Sequence, residues 1–290
     1  TALDSGNWHW GSVLSDAPVS VSISNNKQWQ PTNYDKVSHG DGPMLTGLTH
    51  SYNQATVRLG MNVGLGEVAR NFKRLGLTEE LPRYPSILLG AVPLSPFNVA
   101  EIYQTIAANG FVMPLRSIEA VNDTEGRLLS SYGIKGKQAI SPDTIQWLRW
   151  GLEQVAENGT AKALNGSIPL PVAAKTGTSN DQRDAWFMGF DNRHLGVVWV
   201  GRDDNKPMPL VGSTAALPIW LESFKALGVE PLIPASGFEW YKVNEQGAFV
   251  EKHCDGVLYP LPKKQAPAVL AACGKSSDKK KGKSWLDWLF

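Results

Sequence analysis

Apolar residues recur at helical spacing in two segments of the first half of the chain. Phe97, Ala100, Tyr103, Ile106 and Ala107 form one stripe, opened by Ser95-Pro96 and closed by Asn109-Gly110. Ile145, Leu148, Leu152 and Val155 form another, between Ser141-Pro142 and Asn158-Gly159. A serine that caps the first free N–H groups, a proline preset for the first turn and an Asn-Gly stop predict a helix in each place. The period then changes. Residues 171–178, 184–190 and 195–201 are short apolar segments separated by polar turns, which predicts a meander of antiparallel strands. Residues 215–226 return to helical spacing and predict a helix covering that sheet. The first half is thus expected to be mostly helical and the second rich in strands.

From Gly228 the texture shifts to Pro231, Pro234 and Gly237, a linker signal. A hairpin is expected at 240–243 and 248–252 around Asn244-Glu245-Gln246-Gly247. Beyond it the chain dissolves into Pro, Ala and Lys. The stretch 279–283 reads as solvated and disordered, while the ending Ser284-Trp285-Leu286-Asp287-Trp288-Leu289-Phe290 suggests docking or a membrane interface. This divides the chain into a domain over 1–228 and a C-terminal appendage with a basic tail over 229–290.

With 290 residues, 42% hydrophobic and 19% charged, the chain is long enough to bury a full core in one large domain plus that appendage. The net charge of +1 argues against nucleic acid as the main partner, and the positive charge is concentrated at the end, where residues 263–290 hold seven Lys against two Asp. No apolar run approaches the about 20 residues that cross a bilayer, and no leader-like segment opens the chain at Thr1-Ala2-Leu3. These features suit a piece of a longer polypeptide with any export signal or anchor upstream. Cys254 and Cys273 are the only cysteines; sequence alone leaves both a stabilising disulfide and two free thiols open.

Candidate chemistry centres on Lys175-Thr176-Gly177-Thr178, which follows the apolar run 169–174 and reads as a strand edge carrying a lysine and two hydroxyls into a cleft. Ser51-Tyr52-Asn53 lies upstream, and the pair suggests a penicillin-recognising serine acyl-transferase. Strand alternation puts Lys175 and Gly177 on one face and Thr176 and Thr178 on the other, unless an edge position lets both sets reach a ligand. Gly177 is expected to leave the cleft unblocked, so that an extended peptide adds to this edge with the Thr178 amide aimed at the developing oxyanion. Taken singly, Ser51-Tyr52-Asn53 also fits a polar turn, and Lys175 a solvated lysine. Trp186, Trp199 and Trp220 are expected in the core, and Arg183 and Asp184 as a structural pair.

This chemistry also needs a nucleophilic serine three residues before a lysine. Ser24-Asn25-Asn26-Lys27, Ser276-Ser277-Asp278-Lys279 and Ser277-Asp278-Lys279-Lys280 have the spacing, but the first is a turn signature and the others lie in the basic tail, whereas the spacing works on a buried helix start.

Many landmarks appear in order: Asp16-Ala17-Pro18, Leu48-Thr49-His50-Ser51-Tyr52-Asn53, Leu89-Gly90-Ala91 with Ser95-Pro96, Ile106-Ala107-Ala108-Asn109-Gly110, Gly159-Thr160-Ala161, residues 175–180, Asp184-Ala185-Trp186-Phe187 and Trp199-Val200-Gly201. Across nearly its whole length the chain resembles the transpeptidase domain of class A penicillin-binding proteins, the bifunctional peptidoglycan synthases, in the Gram-negative 1b subclass. The resemblance implies an α+β penicillin-binding/serine β-lactamase-like fold, an antiparallel sheet flanked by helices plus a helical subdomain. It implies a D,D-transpeptidase without cofactor or metal, in which a serine attacks the penultimate D-alanine carbonyl of a stem peptide, expels the last D-alanine and passes the acyl group to an amine.

In such an enzyme Ser51 relays a proton toward the leaving amine, Asn53 hydrogen-bonds the substrate amide and orients the nucleophile's lysine, and Lys175 supplies positive potential. Thr176 and Thr178, with Gly177 between them, bind the substrate carboxylate. The family's serine and lysine lie just before a segment resembling Thr1-Ala2-Leu3, so this chain is expected to begin after them. The implied partners are stem peptides, the lipid-linked precursor, β-lactam antibiotics, an outer-membrane lipoprotein activator and divisome or elongation proteins, at the periplasmic face of the inner membrane. That exported setting favours a Cys254–Cys273 disulfide. Ala174 departs from the family, which usually has glycine there. The alternatives are a non-catalytic binding module, since the nucleophile is missing from this chain, and a serine β-lactamase, for which no glutamate-bearing loop is seen.

Overall fold

The computed structural model describes residues 1–23 and 27–273. Along the chain come strands β1 (Val13–Ser15), β2 (Val21–Ser22), β3 (Gln28–Trp29) and β4 (Asp41–Pro43), then helices α1 (Met44–Thr49), α2 (Asn53–Val63), α3 (Leu65–Arg74) and α4 (Pro96–Ala107). Short strands β5 (Phe111–Val112), β6 (Ala120–Asn122), β7 (Leu128–Ser131) and β8 (Lys137–Gln138) precede the long helix α5 (Pro142–Asn158). The central sheet is β9 (Ala173–Thr178), β10 (Asp184–Phe190) and β11 (Leu195–Gly201), covered by α6 (Leu217–Leu227). Strands β12 (Phe238–Val243), β13 (Phe249–Val250) and β14 (Val257–Pro262) close the described chain.

The predicted caps are the observed ones. Ser95 Oγ accepts from Asn98 N at 3.2 Å and Ser141 Oγ from Thr144 N at 3.1 Å, with proline opening both helices. The central sheet has the order β11-β10-β9, antiparallel throughout, as the three apolar segments predict. Strand β9 starts at Ala173, two residues later than expected, because Pro171 has no N–H to donate and its carbonyl is taken by Leu232 N at 2.8 Å.

Two expectations need correction. Among the described residues the first half also carries eight short strands, two to four residues each, too short to display a period of two. The C-terminal hairpin gains a third strand, β14, whose Pro260 and Pro262 read as breakers. They are tolerated because β14 lies at the edge of the order β13-β12-β14.

Helix α5 is the wall that the hydrophobic clusters share. On one side Val155 and Ala156 pack with Ala174, Phe187, Leu217, Trp220 and Phe224 between the central sheet and α6. On the other, Trp147 packs with Leu3, Trp10, Met44, Val243, Tyr259 and Leu261, so the N-terminal segment, α1 and the C-terminal sheet meet in one cluster. Trp147 is fully buried and donates from Nε1 to Pro260 O at 2.7 Å, while Trp10 Nε1 donates to Trp147 O at 3.0 Å. A Cβ on Gly151 would lie 2.4 Å from Trp10 Cζ2, so only glycine lets that indole lie on the helix.

Cys254 and Cys273 are joined in a disulfide with Cα atoms 5.2 Å apart, and Ala271 N donates to Phe249 O at 2.8 Å beside it. The basic and Trp-rich end lies outside the described residues. Among the described residues no helix is long and apolar enough to cross a membrane.

Trp147→Phe should lower unfolding free energy by about 1–3 kcal/mol, since it removes a buried N–H from Pro260 O and shrinks a filled site. Urea denaturation measures it; an unshifted midpoint would show that the α5 wall does not depend on this indole. Replacing both cysteines by serine should cost about 3 kcal/mol in the loop-entropy picture, and a reductant should reproduce the loss in the unaltered protein.

Candidate active site

The site begins at the turn between α1 and α2. Ser51 has φ +59, the left-handed region that few non-glycine residues occupy. Successive amides tie the turn to α1: His50 N donates to Thr46 O at 3.0 Å, Ser51 N to Leu48 O at 3.2 Å and Tyr52 N to Gly47 O at 2.9 Å. The start of α2 is held from the other side by two buried polar residues. Asn33 Oδ1 accepts from Asn53 N at 2.7 Å and Gln54 N at 3.3 Å, and Asp16 Oδ1 accepts from Ala55 N at 3.0 Å. Asp16 Oδ2 in turn accepts from Asn33 Nδ2 at 2.6 Å and His39 N at 3.0 Å. These are the free N–H groups of a helix start, capped by residues 20 and 39 positions away rather than by a local side chain.

Strand β9 supplies the second half of the site, and being the last strand of its sheet it leaves one edge unpaired. Lys175 Nζ donates to Ser51 Oγ at 2.8 Å and to Thr176 O at 2.9 Å. Burial pushes the ammonium down to about pKa 8 from an ordinary 10.5. Burial also lowers His50 from its usual value and raises Tyr52 to about 12, so Tyr52 stays a neutral phenol at neutral pH. Because Ser51 Oγ accepts from Lys175, its own O–H remains free to donate into the cleft.

The threonines are anchored through partners that sequence reasoning did not assign. Thr176 Oγ1 donates to Thr160 Oγ1 at 2.7 Å, and Thr160 N donates to Thr49 O at 3.0 Å. A Cβ on Gly159 would lie 2.4 Å from Thr49 O, so Gly159-Thr160 can pin the end of α1 to β9 only with glycine at its first position. Thr178 Oγ1 accepts from Gly212 N at 3.2 Å, which leaves the Thr178 hydroxyl proton available to a ligand. Thr160 belongs to a landmark segment, but nothing local to it announces a contact with residue 176.

The structure brings Ser51 and Lys175 together and does not bring Asn53 to them. Asn53 Nδ2 donates to Thr32 O at 2.8 Å, and among the described residues no hydrogen bond links Asn53 to Ser51 or Lys175. Gly177 also has a structural reason beside the one expected. Its missing Cβ would stand 3.1 Å from Trp186 Cβ, its partner across the ladder, so glycine here relieves a tight cross-strand approach. Ala174 is fully buried in the cluster with Phe187 and Trp220, and its partner across the ladder is Gly189.

Trp220 is core, as expected, but Trp199 is 40% exposed and donates from Nε1 to Asp184 Oδ1 at 2.9 Å. Asp184 therefore pairs with Trp199, while Arg183 reaches Asn205 O and Asp181. Of the Ser-x-x-Lys copies, Lys27 directly precedes β3, its carbonyl accepting from Ile23 N at 2.8 Å. Ser24 and both tail copies lie outside the described residues. His253, Cys254 and Cys273 are grouped closely enough to suggest a metal site, but both sulfurs are committed to the disulfide.

Comparison with known proteins gives the family and the fold. The family described as "Penicillin binding protein transpeptidase domain" matches residues 1–206. Penicillin-binding protein 1B of Haemophilus influenzae is 33% identical over 238 residues, 81% of this chain and 30% of that protein. Penicillin-binding protein 1B of Vibrio cholerae is 35% identical over 220 residues, 75% of this chain and 28% of that protein. The chain thus spans about 30% of the length of these curated relatives.

Among solved structures, penicillin-binding protein 1A from Haemophilus influenzae superposes with TM-score 0.82 at 20% identity, over 93% of this chain and 47% of that one. PonA1 from Mycobacterium tuberculosis in complex with penicillin V superposes with TM-score 0.69 at 21% identity, over 86% of this chain and 70% of that one. These two show the same fold, the α+β penicillin-binding architecture expected from the sequence. By its family match and its fold, the chain belongs to the penicillin-binding protein transpeptidase domain family.

Proposed function

We propose that this chain forms the cleft of a peptidoglycan D,D-transpeptidase that β-lactams acylate and inhibit. The observation that carries the reading is the hydrogen bond from Lys175 Nζ to Ser51 Oγ at 2.8 Å, formed across 124 positions of sequence. A charged donor aimed at a hydroxyl oxygen lowers the cost of taking a proton from that hydroxyl. Ser51 can then deliver its proton to the leaving amine of an acyl donor and recover one afterwards. Lys175 also draws a substrate carboxylate toward Thr178, whose hydroxyl proton is free, while Thr176, tied to Thr160, keeps the strand in place. The unpaired edge of β9 suits an extended peptide added by backbone pairing.

In this reading Asn53 acts only after its amide leaves Thr32. Among the described residues no second serine hydrogen-bonds Lys175 or Ser51. The attacking serine is the one that the resemblance places on the amino side of Thr1. Thr1 and Leu48, three residues before Ser51, line one apolar cavity of about 260 Å³ with Leu3, Leu59 and Leu148.

The acyl donor is a stem peptide ending in D-alanine, supplied with the lipid-linked precursor. Solved structures of penicillin-binding protein A from M. tuberculosis as ceftriaxone, imipenem and penicillin G acyl-enzymes support β-lactams as inhibitors of this fold. Residues 1–228 carry the catalytic residues, and 229–290 are an appendage whose sheet packs into the cluster around Trp147. The parent is a membrane-anchored, periplasm-facing synthase with a glycosyltransferase part, regulated by a lipoprotein activator and by divisome or elongation proteins.

Lys175→Ala in the full-length protein should slow acylation by a fluorescent penicillin about a hundredfold to a thousandfold while circular dichroism stays unchanged. Near-normal labelling would refute the role, and no labelling of the unaltered protein would favour a binding module.

The working form of Lys175 is the ammonium, and its pKa is about 8. Acylation should therefore be level below about pH 8 and decline above it, where an ordinary lysine would hold its charge past pH 10. Stability should move the opposite way. The unfolded chain keeps this proton up to pH 10.5, so between about 8 and 10.5 it binds more protons than the folded state, and folding strengthens as pH rises. An acylation rate flat to pH 10 would sink the assignment.

A further inference from the structure

Ser51 is flanked by two rings that meet. The centroids of His50 and Tyr52, its neighbours in the chain, lie 5.5 Å apart with planes at 34°. A second imidazole comes from the loop between β3 and β4: His39 lies flat on Tyr52, centroids 4.1 Å apart and planes at 5°. All three rings are half-buried, and the residue between His50 and Tyr52 is the one with φ +59. Acyl transfer uses Ser51 Oγ and Lys175 Nζ and gives these rings no task.

His39 is held in place from several sides. Its N–H donates to Asp16 Oδ2 at 3.0 Å, on the carboxylate that also takes Ala55 N of α2, and Asp16 N donates back to Gly40 O at 2.7 Å. His39 Nε2 lies 2.9 Å from Asp35 Oδ2; the Val37 amide holds Asp35 below the usual carboxylate range, so that oxygen accepts and Nε2 carries the ring proton. Asn33 Nδ2 donates to Val37 O at 2.7 Å and Ser38 Oγ to Gln54 Oε1 at 2.7 Å. The loop that carries His39 and the first turn of α2 are therefore one platform.

Tyr52 is fixed between that platform and α1. Its N–H donates to Gly47 O at 2.9 Å and its ring lies on His39. Ser51 has to join His50, at the end of α1, to a Tyr52 whose orientation is already set, and a left-handed residue closes the span. A non-glycine residue leaves that region when nothing opposes it. We propose that His39 is a positioning residue for Ser51, its ring pinning Tyr52 so that the strained turn stays formed and Ser51 Oγ stays within reach of Lys175. The effect on rate rests on the acyl-transfer reading above; the effect on the turn does not.

The test uses the full-length protein and separates the ring of His39 from its hydrogen bond. His39→Gln keeps a donor for Asp35 and loses the ring, His39→Phe keeps the ring and loses the donor, and His39→Ala loses both. A ring pair is worth about two- to tenfold in an equilibrium, so the alanine and glutamine variants should lower the acylation rate constant at saturating penicillin by up to about tenfold. The dissociation constant of the preceding non-covalent complex should stay within about twofold, because the loss falls on the chemical step. Hydrogen exchange read by mass spectrometry over residues 48–55 should quicken in the same two variants and stay near normal with phenylalanine. Adding His39→Ala to Tyr52→Leu should cost little more, since the stack is already gone.

A phenylalanine variant no better than alanine, a glutamine variant that matches the unaltered protein, or normal exchange over 48–55 in the alanine variant would overturn the positioning role. Failure of the unaltered protein to label would overturn the acyl-transfer reading, and the exchange measurement would still decide what His39 does to the turn.

Discussion

The 2.8 Å contact between Lys175 and Ser51 is where the two halves of the cleft meet, and it exists only because both backbones are fixed before the side chains meet. Ser51 sits in a left-handed conformation that a free chain would abandon, and the amide bonds to α1 on one side and the Asp16–Asn33 cap of α2 on the other hold it there. Lys175 is placed by the β9–β10 ladder and by Thr176, whose hydroxyl reaches Thr160 and through it the end of α1. The site is therefore braced twice, once through the ion and once through Gly159-Thr160. Burial that lowers the Lys175 pKa also makes its remaining charge act through a low-dielectric path, where one donor counts for more than in water.

Behind this sits α5. Its one face meets the central sheet and α6, its other the N-terminal segment and the C-terminal sheet, so the strand that bears Lys175 and the helix pair that bears Ser51 are referred to one common element. Trp147 has no exposure and two distant hydrogen-bond partners, Pro260 O, to which its Nε1 donates, and Trp10 Nε1, which donates to its carbonyl. Residues read as a separate appendage thus complete a cluster that begins at Leu3. The disulfide then keeps the far end of that region beside β13.

Local signals were legible where the physics is local. Serine caps followed by proline, a 3.6-residue stripe and a period-two run depend on near neighbours alone, and α4, α5, β10 and β11 follow them closely. Strand β14 was not legible because proline is penalised in a strand unless that strand lies at an edge, and edge position is a property of the sheet. The tight approach of Gly177 to Trp186 was not legible, since a cross-strand partner depends on register. The Asp16 and Asn33 caps, Thr160 and the present partner of Asn53 were missed for the same reason, being polar contacts made over 16 to 39 positions.

The sequence by itself determined the strongly patterned helices and strands, α4, α5, α6 and the central sheet, which residue types could carry acyl-transfer chemistry, and the family to which their ordered landmarks point. Tertiary structure alone decided which of those residues meet. Ser51 and Lys175 converge, Asn53 is turned to Thr32, Thr176 is spent on Thr160, and Thr178 keeps a free proton. The physical reason is that hydrogen bonds over- or under-commit a side chain only once distant backbones are in place, and a sequence carries no record of those distances.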